Sequence, residues 1–235
     1  DGSAPASPPS QEARPIGTFE PQLVSQAASI PAASPSPLAL AASALERGDQ
    51  VAACQQLALY LTTHSSHFEV RIHFGELLLD QGRLREAKGE FLRALADSQE
   101  RGNAALQERL RCHILLMEIA QAEDDPYGCH FHRGVGLYLL ALERAKIQDS
   151  NNQLPAEGLF CRAAAELLSA ATERPDEAQA SWYLYRVWSA LGQMGPADRW
   201  LGRAAVFAPV SKLTAAEQRG LQLALASHAW PAVRP

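Results

Sequence analysis

His73-Phe-Gly-Glu-Leu-Leu-Leu-Asp-Gln-Gly-Arg-Leu-Arg-Glu-Ala-Lys-Gly-Glu-Phe-Leu-Arg-Ala-Leu95 is the stretch whose reading decides the fold. At helical periodicity its two halves are short amphipathic helices meeting at a turn around Gly82. The small residues Gly75, Ala87 and Ala94 fall where two helix backbones would approach. The large ones, Phe74, Leu78 and Phe91, fall where the gap between them needs filling. The pattern predicts a helical hairpin from Phe68 to Arg101.

Working outward, the same pattern returns. Towards the N-terminus a helix over 38–47 stops at Gly48, and a second over 50–62 places Val51, Cys54, Leu57 and Leu61 on one side. Gly48 and Gly82 are 34 residues apart, as are Ala53 and Ala87, and Leu45-x-x-Gly48 repeats as Leu79-x-x-Gly82. Towards the C-terminus the glycine-to-alanine offset of five recurs at Gly158/Ala163 and Gly192/Ala197. Pro175 and Pro209 are again 34 apart, so helices are expected over 177–191 and 196–207, with Leu184, Trp188, Ala197, Leu201 and Ala204 as packing positions. A last helix over 213–226 would shield the end of the stack.

The middle is less regular. A long helix over 104–122 leads through the acidic turn Glu123-Asp124-Asp125 to Pro126, a favourable first helical residue, and on towards Ile147. Gly134 and Gly136 inside that helix predict close approach by a neighbour, since glycine costs about 1 kcal/mol against alanine there. Counting helices makes 177–191 the second of a pair, whereas the proline spacing makes it the first. Either the 126–147 segment breaks or one hairpin is irregular.

A unit of this length with these positions resembles the tetratricopeptide repeat in its bacterial type. The match runs through Phe74 and Gly75, Leu78, the turn Gly82, then Ala87, Phe91 and Ala94. It departs at Arg71, where the family carries a large aromatic, and lacks the closing proline. The resemblance implies an all-α fold of tandem helix-turn-helix repeats, a TPR-like α-solenoid, whose concave face is lined by the first helix of each pair. On that face it would present Glu69, Ile72, Glu76, Leu79 and Asp80, and, later in the chain, Trp182 and Arg186, aromatic and arginine residues being common binding anchors. The lysine and asparagine that one subclass uses to clamp a terminal carboxylate are replaced here by residues including Ile72 and Glu76. An acidic and apolar groove would prefer a neutral or basic amphipathic segment. The implied function is a non-catalytic scaffold or adaptor binding a peptide or helix in the groove. The alternative is a ligand-sensing or enzyme-accessory domain with a small-molecule pocket in the middle hairpins.

Composition agrees with helices. The 235 residues are 47% apolar but only 7% aromatic, with alanine and leucine dominant, both strong helix formers. Net charge is −5 and no long basic run occurs, so no nucleic-acid partner is expected. No stretch has the continuous apolar length of a membrane span. Residues 1–36 are Pro/Ala/Ser-rich and aperiodic, and are read as a disordered tether; 37–227 form the repeat domain and 228–235 a tail. Such a tether is expected after a removed signal or a trimmed membrane anchor, and equally in a cytoplasmic linker. The bacterial envelope is the preferred compartment.

Candidate chemistry is sparse. Cys54, Cys112, Cys129 and Cys161 lie far apart and read as buried free thiols, two disulfides being the alternative. Cys129-His130-Phe131-His132, with Cys112 and His113 one helix earlier, offers zinc-type ligands, but only Cys129 and His132 have converging helical spacing. No metal, cofactor or catalytic residue is assigned. Carboxylate pairs such as Glu76/Asp80 and Glu86/Glu90 read as wet helix faces. His64, His67 and His73 read as solvated.

Overall fold

The helices follow from capping and turn chemistry as much as from periodicity. The computed structural model describes residues 35–99, 105–146 and 156–227; among them there are ten helices and no strand. They are α1 Pro37–Glu46, α2 Gln50–Thr63, α3 Phe68–Asp80, α4 Leu84–Gln99, α5 Leu106–Ala122, α6 Pro126–Lys146, α7 Ala156–Glu173, α8 Ala178–Ala190, α9 Met194–Phe207 and α10 Ala215–Ser227. The expected tether up to Ser34 and the expected tail lie outside the described residues. Ser36 opens α1, its hydroxyl accepting from Ala39 N–H at 3.2 Å, with Pro37 in the first turn. Asp49 caps α2 in the same way, Oδ1 to Ala52 N–H at 2.9 Å. Thr214 and Glu217 cap α10 reciprocally: Glu217 N–H donates to Thr214 Oγ1 at 3.2 Å, and Thr214 N–H to Glu217 Oε2 at 2.8 Å.

One turn geometry closes four hairpins. Gly48, Gly82 and Gly192 have φ of 74°, 73° and 70°, a left-handed conformation that costs glycine little. The next N–H reaches back five residues in each case, Asp49 to Ala44, Arg83 to Leu78 and Gln193 to Trp188, all at 2.9 Å. The α5–α6 turn has the same bonds, Asp125 N–H to Ala120 O at 2.9 Å, but its left-handed residue is Asp124, with φ 51°. Asp124 stands two 34-residue intervals before Gly192. The glycine beat that stops after Gly82 therefore resumes at an aspartate.

The register conflict resolves in favour of an irregular hairpin. α6 runs unbroken from Pro126 to Lys146, and α8 with α9 forms a true pair. Gly158, which the five-residue offset places at a turn, lies instead inside α7. α7 packs along α6 as the most extensive helix pairing in the array. The approach is close: a Cβ on Gly134 would stand 2.7 Å from Leu167 Cγ and 3.2 Å from the Leu167 backbone nitrogen. At Gly136 a Cβ would make only ordinary contact, 3.5 Å from Leu110.

The stack has apolar clusters along its length. Ala41, Leu57, Leu61 and Val70 form the first; Phe68, Leu78, Phe91, Leu95, Cys112 and Leu116 belong to the second. Tyr127, Phe131, Leu139, Leu167, Tyr183, Leu184 and Leu201 belong to the largest. Val51, expected on the packed side of α2, is 60% exposed. Glu90, expected on a wet face, is buried, because α4 turns it towards the guanidinium of Arg71. The last helix does more than shield α9: Thr214 Oγ1 is 2.6 Å from Gln99 Oε1 at the end of α4.

Candidate functional site

Two concave regions draw on the middle of the chain. The first is a furrow between α5 and the C-terminal half of α6, about 410 Å³, floored by Leu106, Leu110, Leu115 and Leu139. Ile114 and Leu140 stand on it 46% and 42% exposed, and Arg111 and Glu143 edge it. Helical spacing produces it: Leu106, Leu110 and Ile114 recur every four residues on α5, forming one stripe.

The second is a cavity of about 400 Å³ walled by α4, α5, α6, the start of α8 and residues 212–217. Three aromatic rings line it. Tyr127 and Phe131, one turn apart on α6, stack at 5.6 Å between centroids, and Tyr183 meets Phe131 edge-on at 5.8 Å. Its polar lining includes His113, His132, Glu177 and Glu217. Three buried atoms there have no hydrogen-bond partner: His113 Nε2, Tyr127 Oη and Glu177 Oε2. Leaving such groups unpaired costs on the order of 1–3 kcal/mol each.

His113 and His132 face each other, Nδ1 to Nδ1 at 3.1 Å. One must donate and the other accept, so the accepting ring is neutral in this arrangement. Burial, then the His132 and Arg109 charges, holds His113 well below the usual imidazole range. Burial, then Lys88, lowers His132 to about 4. The Tyr127 phenol is pushed up by burial first and then by the Glu177 carboxylate, against the pull of Arg174.

The residues singled out in the sequence distribute as follows. Ile72 is 2% exposed and belongs to the second core cluster. Leu79 is half-buried against the same cluster, and Asp80 is exposed. Glu69 is half-buried, 3.7 Å from His67. Glu76 is half-buried and pairs with Arg111 across to α5 at 2.5 Å, which sets it beside the furrow. Trp182 and Arg186 line an adjoining pocket of about 310 Å³ with Gln99, Arg109 and Gly220, sharing Gln99, Tyr183 and Glu217 with the cavity. Trp182 is largely covered by α10, where a Cβ on Gly220 would come within 2.8 Å of its ring. Arg186 lies over Tyr138 at 5.0 Å and Tyr183 at 5.4 Å.

Among the described residues no three His, Cys, Asp or Glu side chains converge as metal ligands. His132 meets His113 across the hairpin. All four cysteines are free, and Cys161 is exposed rather than buried, because α7 turns it outward. His67 is half-buried with Nδ1 2.8 Å from Tyr60 Oη. Beyond the two histidines, no polar residue of the cavity was given a functional reading in the sequence. Its parts come from five segments, and only Tyr127/Phe131, four apart on one helix, left a local trace.

No protein-family model matches the chain, and no curated protein matches it. Among solved structures it is similar to a MamA protein, at 11% identity and a TM-score of 0.36, covering 85% of this chain and 96% of that one. A MamA fragment from Desulfovibrio magneticus RS-1 gives 15% and 0.31, over 74% and 93%. TTC0263, a thermophilic TPR protein in Thermus thermophilus, gives 16% and 0.37, over 83% and 98%. None of these scores reaches 0.5; the fold is read from the hairpins themselves. It is a tetratricopeptide-like helical repeat. Among the described residues no helix is long and apolar enough to cross a membrane.

Proposed function

We propose that this chain is a non-catalytic interaction scaffold, an adaptor that takes a peptide or short helix of another protein on its helical surface. The observation that carries the reading is the furrow of α5 and α6. Six aliphatic side chains form it, two of them over 40% exposed, and contiguous exposed apolar surface rimmed by charge is characteristic of docking sites. Arg111, Glu143 and Glu76 supply that rim, and an amphipathic helix with anchors at i, i+3 or i+4, and i+7 fits such a groove. Of the residues named as partner-binding in the sequence, Glu76 is the one this reading uses directly. Glu69, Leu79 and Asp80 share its helix, Arg186 would serve a second contact, and Trp182, covered by α10, would support it from beneath.

The test is charge insertion. Ile114→Lys with Leu140→Lys should abolish co-purification of a specific partner from the source cells, while Val206→Lys, at a position 70% exposed on α9, should leave it intact. Equal recovery by both variants would overturn the reading. A second reading, a ligand-sensing domain, has in its favour the cavity with its three unpaired polar atoms.

A further inference from the structure

The cavity's lining specifies the charge of what would fill it. Glu177 is the N-terminal cap residue of α8, yet its side chain makes no capping bond, and its buried Oε2 is unpaired. A carboxylate can only accept, so whatever satisfies it must donate. Glu217, 5% exposed, adds a second negative charge; its Oε2 already accepts from Thr214 N–H and, at 3.4 Å, from Gln179 Nε2.

Three cations, Lys88, Arg174 and Lys212, also line the cavity, and the first two are already paired with carboxylates, Arg174 with Asp125 of the same lining. Arg174 is bound to Asp125 at 2.8 Å and Lys88 to Glu123 at 2.5 Å, while Lys212 is exposed to solvent. Arg174 nevertheless shows what the aromatic wall accepts, since its guanidinium stands 4.5 Å from the centroid of Tyr127. Tyr127 and His113 are each more than nine-tenths buried, and each brings an unpaired atom to this lining. In the tautomer where His113 Nδ1 donates to His132, its free Nε2 is an acceptor.

We propose that this cavity binds a protonated amine or guanidinium, its N–H groups donating to Glu177 and His113 and its carbon chain or plane lying against Tyr127 and Phe131. A volume of about 400 Å³ suits one lysine or arginine side chain or a free amine of similar length. The inference rests on the ligand-sensing reading and is independent of the α5–α6 furrow.

Calorimetric titration of the full chain tests it, with agmatine and putrescine as free amines, and capped Ala-Lys-Ala and Ala-Arg-Ala as side-chain donors. Capped Ala-norleucine-Ala and inorganic phosphate are the controls. At least one cationic probe should bind, with affinity reduced tenfold or more by Glu177→Gln and reduced by Tyr127→Phe, and the controls should not. Binding of free amines would assign a small-molecule ligand; binding of the capped peptides alone would assign a partner's side chain. Either outcome supports the proposal. Binding of phosphate or the norleucine peptide at equal strength would overturn the charge assignment while leaving a ligand pocket. No binding by any probe, or unchanged cation binding in both variants, would overturn the proposal itself. Ile114→Lys should leave the titration unaltered.

Discussion

Arg71 Nη1 lies 2.6 Å from Glu90 Oε2, an ion pair between α3 and α4 in which both side chains are close to nine-tenths buried. Arg71 also donates through Nη2 to Ser65 O, and Glu90 accepts from Arg93 at 2.6 Å. Asp97 Oδ2 stands 3.6 Å from Arg71 Nε, near enough for attraction but too far for a hydrogen bond. The pair joins the two helices of the hairpin at a position buried from solvent. Its geometry holds two backbones in register, at the cost of two desolvated charges.

Removing one partner of such a pair leaves a buried charge uncompensated. Arg71→Met should therefore destabilise the fold by about 3–5 kcal/mol. Arg71→Met with Glu90→Leu should recover most of that loss, because two apolar groups carry no desolvation cost. Urea unfolding of the two variants and the wild type checks the order. A double variant no more stable than the single one would contradict it.

Acid should weaken the fold through His113 and His132. Both are neutral when folded, with pKa lowered by burial, whereas the unfolded chain takes up their protons below about pH 6.5. The unfolded state thus binds more protons in this range, and stability rises with pH. It is complete above about pH 6.5 and falls as the pH drops towards the folded value for His132 of about 4. His132→Gln should flatten the stability profile between pH 5 and 6.5 by up to about 1.4 kcal/mol per pH unit. Urea midpoints across that range measure it.

Asp124 should tolerate glycine and reject branching. Its φ of 51° suits Asp better than most side chains but strains a β-branched one. Asp124→Gly should change stability by no more than about 1 kcal/mol, while Asp124→Val should lose about 1–2 kcal/mol or more. Thermal melts of the two variants decide it.

Thiol labelling should follow exposure. Cys161 should react first in the native protein and Cys129 more slowly. Cys54 and Cys112 should react only on unfolding, since both are buried and burial pushes the Cys112 thiol up to about 12. Reaction with a chromogenic disulfide, followed by peptide mapping, reads the order.

Much of the fold was legible because three of the four turns that share the left-handed geometry use glycine, and two of those glycines, Gly48 and Gly82, are 34 residues apart. The fourth was read as the acidic turn Glu123-Asp124-Asp125, but its kinship with the glycine turns was hidden, because there Asp124 supplies the left-handed residue. The α6–α7 pairing was half visible: Gly134 announced a close approach, but nothing local says that Leu167 is what approaches. The site was the least legible part. His113 and His132 were both singled out, yet as possible partners of cysteines on neighbouring positions. Their actual pairing depends on how α5 and α6 rotate about each other. Glu177 has no local signature at all, since its significance lies in the rings and the α10 cap that surround it.

Photo-crosslinking from position 114 tests the central claim, that the array serves as a docking surface, most directly. A photoreactive residue replacing Ile114 should yield one dominant protein adduct in the source cells. That adduct should disappear with Leu140→Lys and be absent when the same group replaces Val206. Indistinguishable adducts from positions 114 and 206, or none from either, would contradict the account.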